Sequence, residues 1–182
     1  MIVGHVGIAF GTRALRRDAP LVLLIGAAFL PDAGDGVLRL AAICNPYGTY
    51  THSLPASALL AVAAAAVALA WSRSRALALV AGGLVLTHLP LDLITGQKAL
   101  WLGGPVAGLY FYRFPLWDFI IELPVLLLGW MMLRRAGGAP AWATSVLTLA
   151  CLLAVQAGAD LRNARRSQRP PTRCERSALP RP

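Results

Sequence analysis

Long apolar stretches that nevertheless carry histidines and carboxylates constrain this chain more than any other feature. Residues 54–71, 76–94, 116–133 and 141–159 are almost free of charge. Each approaches the roughly 20 helical residues needed to cross hydrocarbon. With 57% hydrophobic residues and a mean hydropathy of +0.62, the chain is too apolar for an ordinary soluble domain. Residues 2–10 and 20–30 are shorter apolar stretches. At ~1.5 Å per residue they reach about half a bilayer, which predicts a helical hairpin that penetrates partway and turns at residues 13–18. The expected architecture is an all-α integral membrane bundle, with about four full spans plus the short N-terminal hairpin. The Pro31–Gly36 stretch predicts an irregular break, tolerable at depth only when buried in protein or facing a wet cavity.

The charge is lopsided, with 17 basic residues against 8 acidic ones and a pI near 10.7. Every basic residue except Lys98 is arginine. In a soluble protein this balance would suggest nucleic acid. In a membrane protein, short basic clusters are loops held by anionic lipid headgroups, and no nucleic-acid partner is expected. Arg13/Arg16/Arg17, Arg73/Arg75 and Arg134/Arg135 would share one side of the membrane. The arginines from Arg162 onward would then emerge on the other side if the last apolar segment crosses, in breach of the positive-inside rule. Residues 1–160 therefore read as a membrane-embedded helical domain and 161–182 as a disordered Arg/Pro-rich tail. Cys44, Cys151 and Cys174 show no Cys-x-x-Cys spacing, so neither a disulfide framework nor a thiolate zinc site is expected. Residues 96–115, rich in Gly, Pro and aromatic side chains, predict an interfacial belt or a lid over a site.

Ionisable groups inside hydrocarbon are costly and tend to pair or to bind something. His5, Asp32, His88 and Glu122 all lie within segments that place them away from the arginine-rich side, with His52 at the far mouth of its helix. His88 and Asp92 are one helical turn apart and share a face. Asp32 and Asp35 flank Gly34, and Thr51 or Ser53 could cap the following helix or support the His52 ring. Imidazole with carboxylate suits zinc, and also manganese or iron, while a carboxylate subset suits magnesium. Simpler roles are available for each residue: helix capping for Asp118 and Glu122, an interhelical hydrogen bond for His88 and Asp92, a solvated turn for Asp32 and Asp35. Asp18, Asp160 and Glu175 read as surface groups.

The ordered set His5, Pro31-Asp32, Thr51-His52-Ser53-Leu54 and His88-x-x-x-Asp92 resembles the YdjM-like family of membrane-bound metal-dependent hydrolases, over roughly residues 1–130. The resemblance implies a multi-pass bacterial inner-membrane protein with His5, Asp32, His52, His88 and Asp92 as metal ligands. Many members carry His-Arg where this chain has Tyr47-Gly48, so any ligand role of that extra histidine is missing here.

The function expected from these residues is metal-dependent hydrolysis of a lipid-borne ester or phosphoester by an activated water. A divalent metal, zinc before manganese, iron or magnesium, would be the cofactor. Asp35 would complete or orient the shell, and Glu122 would move protons. Membrane lipids are the expected partners, including a lipid-like substrate. The rival expectations are transport of a metal ion or proton through the same ligands, and a non-catalytic scaffold that recruits a partner through its basic tail.

Overall fold

In the computed structural model, residues 2–170 and 172–176 are described. Helices dominate: α1 (Val3–Leu15), α2 (Leu21–Ala28), α3 (Leu30–Leu40), α4 (Leu54–Ser72), α5 (Arg75–Thr95), α6 (Pro115–Ala136), α7 (Ala141–Thr144), α8 (Val146–Ser167) and α9 (Arg173–Arg176). This is the all-α membrane bundle that the apolar stretches predict. Among the described residues α4, α5 and α6 are long and apolar enough to cross a membrane, and α2 with α3, bent by 59°, forms a possible fourth, broken span. The last apolar segment is not among them. It breaks at Ser145, and the final turns of α8 carry Asp160, Arg162, Arg165 and Arg166. Only 17% of the most apolar window of α4 is buried inside the protein, so its remaining apolar surface is available to lipid.

Small residues set how closely the helices approach. Gly7 and Gly11, four apart on one face of α1, lie against Gly129 of α6. A Cβ on Gly129 would run into the Gly7 carbonyl oxygen, so the two backbones touch as in small-xxx-small packing of membrane helices. The pairing matches residue 7 with 125–129 and residue 11 with 129–132, so α1 and α6 run in the same direction. Two apolar clusters flank this contact. One joins Ala9, Leu24, Ala61, Leu84 and Val85 across α1, α2, α4 and α5. The other joins Val3, Phe10, Leu126, Trp130 and Leu133 between α1 and α6.

Two local expectations are revised, at the Pro31–Gly36 stretch and at the cysteines, and the loop between α5 and α6 gains a defined form. The Pro31–Gly36 stretch is not an irregular break: the chain bends at Phe29 and re-enters a helix with Pro31 in its first turn, where a missing amide costs nothing. Residues 96–115 are a loop with a short hairpin, Lys98–Ala99 paired antiparallel with Val106–Ala107. The Leu54 amide donates to the Leu100 carbonyl and the Leu109 amide to the Leu93 carbonyl, which pins this loop over the start of α4 and the end of α5. Finally, Cys44 and Cys174 form a disulfide across 130 residues of sequence. No local spacing announces a bond that only the fold brings together. It ties the segment after α8 to the loop after α3. The tail drawn from composition at 161 is helical to Ser167 and again at α9; residues 177–182, on which the same expectation falls, lie outside the described residues.

Candidate metal centre

Three helix ends converge on one point. Asp32 comes from the first turn of α3, His52 from the residue before the Ser53 cap of α4, and His88 and Asp92 from the last turns of α5. One ligand atom from each lies within 4.8 Å of all the others, a group able to hold a metal ion. His52 and His88 are fully buried and Asp92 nearly so, whereas the Asp32 side chain is 41% exposed.

Each imidazole is anchored from behind. The His88 Nδ1–H donates to the Ala28 carbonyl oxygen at 2.7 Å, which turns its Nε2 toward Asp32 and Asp92. The His52 Nδ1 lies 2.7 Å from the Thr51 hydroxyl, and that hydroxyl donates to Asp35 at 2.9 Å. Asn45 donates to both Thr51 and Asp35. The two Nε2 atoms therefore face each other at 3.2 Å. The His52 Nε2 is also 3.3 Å from Asp32 and 3.4 Å from Asp92. Two imidazole lone pairs this close repel unless a proton or a cation lies between them. Burial is the largest influence on His52 and holds its pKa below 6.5, which favours the neutral ring that a metal takes.

His5 lies at the edge of this group. Its ring centroid is 3.9 Å from that of His88 and its Nε2 is 3.9 Å from Asp92. Neither of its buried nitrogens has a hydrogen-bond partner among the described residues, an unusual cost for buried polar atoms. Asp35 stands behind Thr51, where it orients His52 instead of joining the four. Ser53 caps α4 through the Ala56 amide, so Thr51 and Ser53 divide the two tasks foreseen for them. Gly48, with φ +71, passes so close that a Cβ there would lie 3.0 Å from His52 Nδ1; a side chain at this position would displace the ring.

Glu122 is elsewhere. Its Oε2 accepts from the Ile2 and Gly4 amides, satisfying the otherwise uncapped start of α1, and its Oε1 accepts from Gln156. With Asp118 and Asp160 it forms a second buried carboxylate group. Asp160 is therefore buried, at 1% exposure, and not the surface group its place after an apolar run suggests. Sequence reasoning also passed over Lys98, whose ammonium is 2.8 Å from Asp92, and Gln156, which donates to both Glu122 and Asp160. Gln156 and Asp160 are one helical turn apart in an apolar run, a signal that could have drawn attention to them.

A cleft of about 300 Å³ opens onto Asp32 and Asp92, with Lys98 and Tyr112 on its wall. Burial raises the Tyr112 phenol well above 10, so it stays protonated. A helical membrane bundle with a buried His/Asp group at the end of a cleft is thus the class this molecule falls in. The chain belongs to the YdjM inner membrane protein family, which matches residues 1–160. No curated protein and no solved structure matches it.

Proposed function

We propose that the protein is a membrane-embedded hydrolase dependent on a divalent metal, acting on a lipid-borne ester or phosphoester. Asp32, His52, His88 and Asp92 would hold the ion, with His5 as a further ligand. The observation that carries this reading is the pair of buried Nε2 atoms facing each other with both Nδ1 positions already engaged. The carboxylates on either side supply the negative charge that a cation needs there. Imidazole-rich ligation with oxygen donors favours zinc.

When bound, such an ion polarises a phosphoryl or acyl oxygen and makes water nucleophilic near neutral pH. The protein supplies the rest. Ala28 and Thr51 fix the ring orientations, and Asp35 acts on His52 through the Thr51 hydroxyl, in the manner of outer-sphere partners at metal sites. Lys98 and Tyr112 place donors on the cleft wall, where oxygen atoms of a bound ester gain negative charge. Glu122 has both oxygens engaged on α1 and α8, and no proton transfer is assigned to it.

The test is elemental analysis of detergent-purified protein. Wild type is expected to retain a divalent metal in stoichiometric amount, and His88→Ala and Asp92→Ala to lose it while remaining monodisperse. Equal metal content in wild type and His88→Ala would overturn the assignment. Uptake of that metal into sealed vesicles, without hydrolysis of any ester, would favour transport.

A further inference from the structure

The arginines of α8 break the topological rule that the other clusters follow. Arg13 donates to the Gly138 carbonyl at the end of the bundle where α6 gives way to α7. Arg73 and Arg75 mark that same end between α4 and α5, as do Arg134 and Arg135 at the end of α6. Arg162 and Arg166 lie at the opposite end, on the rim of the cleft above Asp32 and Asp92, together with Arg39 and Lys98. A membrane-topology rule does not account for basic residues gathered there.

Their mutual placement is costly. Burial and then the neighbouring Arg162, Arg39 and Arg169 hold Arg166 below the ordinary arginine value. Two of the rim cations have anionic partners: Arg39 is 3.4 Å from Asp35, and Lys98 is 2.8 Å from Asp92. Arg162 and Arg166 are exposed and have no ion pair among the described residues. Asp32 and Asp92 carry two negative charges, which a divalent ion would offset. With both aspartates so offset, Arg39, Lys98, Arg162 and Arg166 against Asp35 leave the rim an excess of about three positive charges, two of them on the guanidinium groups of Arg162 and Arg166, whose forked donors match phosphate oxygens.

We propose that the cleft binds the dianionic phosphate of a phosphate monoester, with Arg162 and Arg166 gripping its oxygens above the His/Asp group. This rests on the hydrolase reading and narrows its substrate to phosphomonoesters, because a neutral carboxylic ester would leave the rim charge unmatched. The reaction it implies is balanced: water oxygen bonds to phosphorus, the phosphorus–oxygen bond to the alcohol breaks, and the alcohol oxygen takes the proton, releasing an alcohol and inorganic phosphate. The apolar, lipid-facing flanks of the bundle suit a substrate that is itself a lipid.

The test uses the full-length protein in detergent, with binding followed by calorimetry. The probes are inorganic phosphate, micelles containing phosphatidic acid, and micelles containing a fatty-acid carboxylate at the same mole fraction. Phosphatidic acid is expected to bind wild type at least tenfold more tightly than the double variant Arg162→Ala/Arg166→Ala, and tenfold more tightly than the carboxylate. Arg166→Lys, which keeps charge but loses the fork, should fall between. Both substituted side chains are exposed, so folding is preserved, and an unchanged elution profile checks it. If phosphate alone binds as tightly as phosphatidic acid, the cleft serves water-borne phosphate esters; tighter binding of the lipid assigns it to lipid. Equal affinity of wild type and double variant, or equal affinity for carboxylate and phosphate micelles, would overturn the proposal. Metal content measured on the same samples separates the two readings. Metal retained without arginine-dependent phosphate binding removes this inference alone, whereas phosphate binding in a protein that holds no metal removes the hydrolase reading and the reaction with it, leaving only the phosphate-binding cleft.

Discussion

Two buried groups of acidic residues lie within one bundle, and they are built differently. In the first, Asp32 and Asp92 meet His52 and His88. The imidazoles are braced by a carbonyl and a hydroxyl, and one carboxylate opens to a cleft. In the second, Asp118, Glu122 and Asp160 are each at most 1% exposed. The donors to Glu122 and Asp160 are structural, namely the amides at the start of α1 and the side-chain amide of Gln156, while neither Asp118 oxygen has a hydrogen-bond partner among the described residues. The first group points two imidazole nitrogens and two carboxylates at a shared centre. The second joins α1, α6 and α8 through the two oxygens of Glu122. Burial and negative charge are common to both, so neither property marks a functional site; access and the direction of the donors do.

The comparison breaks most sharply at His88. His88→Ala is expected to abolish metal retention, whereas Glu122→Gln should leave metal content unchanged by elemental analysis. Loss of metal from both variants would make the two groups one site. Glu122→Leu comes next: it strands two backbone amides and one amide of Gln156, and should cost about 3 kcal/mol of stability, read as a lowered Tm in detergent. His88→Ala should lower Tm far less than Glu122→Leu in metal-free buffer. A smaller effect is expected from Thr51→Val, which removes the hydroxyl behind His52 and should weaken metal affinity about 10–100-fold, measured by competition with a chelating dye. The smallest is Cys174→Ser. Releasing the segment after α8 should leave metal content intact and lower phosphatidic acid affinity only a few-fold, since α8 itself holds Arg162 and Arg166 in place.

Much of the fold is legible because the bilayer imposes it. Leaving a backbone amide unpaired in hydrocarbon is costly, so apolar runs of that length become helices. Residues 54–71, 76–94 and 116–133 are therefore readable from composition alone. The last apolar run misleads: its hydropathy ends before the helix does, and α8 continues through Asp160 to Ser167, with Gln156 bonded to Glu122 of α6 and to Asp160 one turn on. The Pro31–Gly36 stretch misleads in the opposite sense, since proline and glycine announce a break while Pro31 in fact starts α3. Within the site, His88 and Asp92 are legible from helical spacing. Lys98 is not, because it reaches Asp92 from a hairpin whose position depends on hydrogen bonds to Leu54 and Leu93.

The sequence by itself determined that this protein is a helical membrane bundle with histidines and carboxylates set toward one end, because transfer free energies and helical period depend only on local residue order. Tertiary structure alone decided which of those groups meet. Asp32 joins His52 and His88 while Glu122 turns to α1, and Cys44 finds Cys174. The physical reason is that side-chain contacts form through close packing of helices distant in sequence. At Gly7 and Gly129 that packing sets how near α1 can come to α6, and so which donors Glu122 can reach.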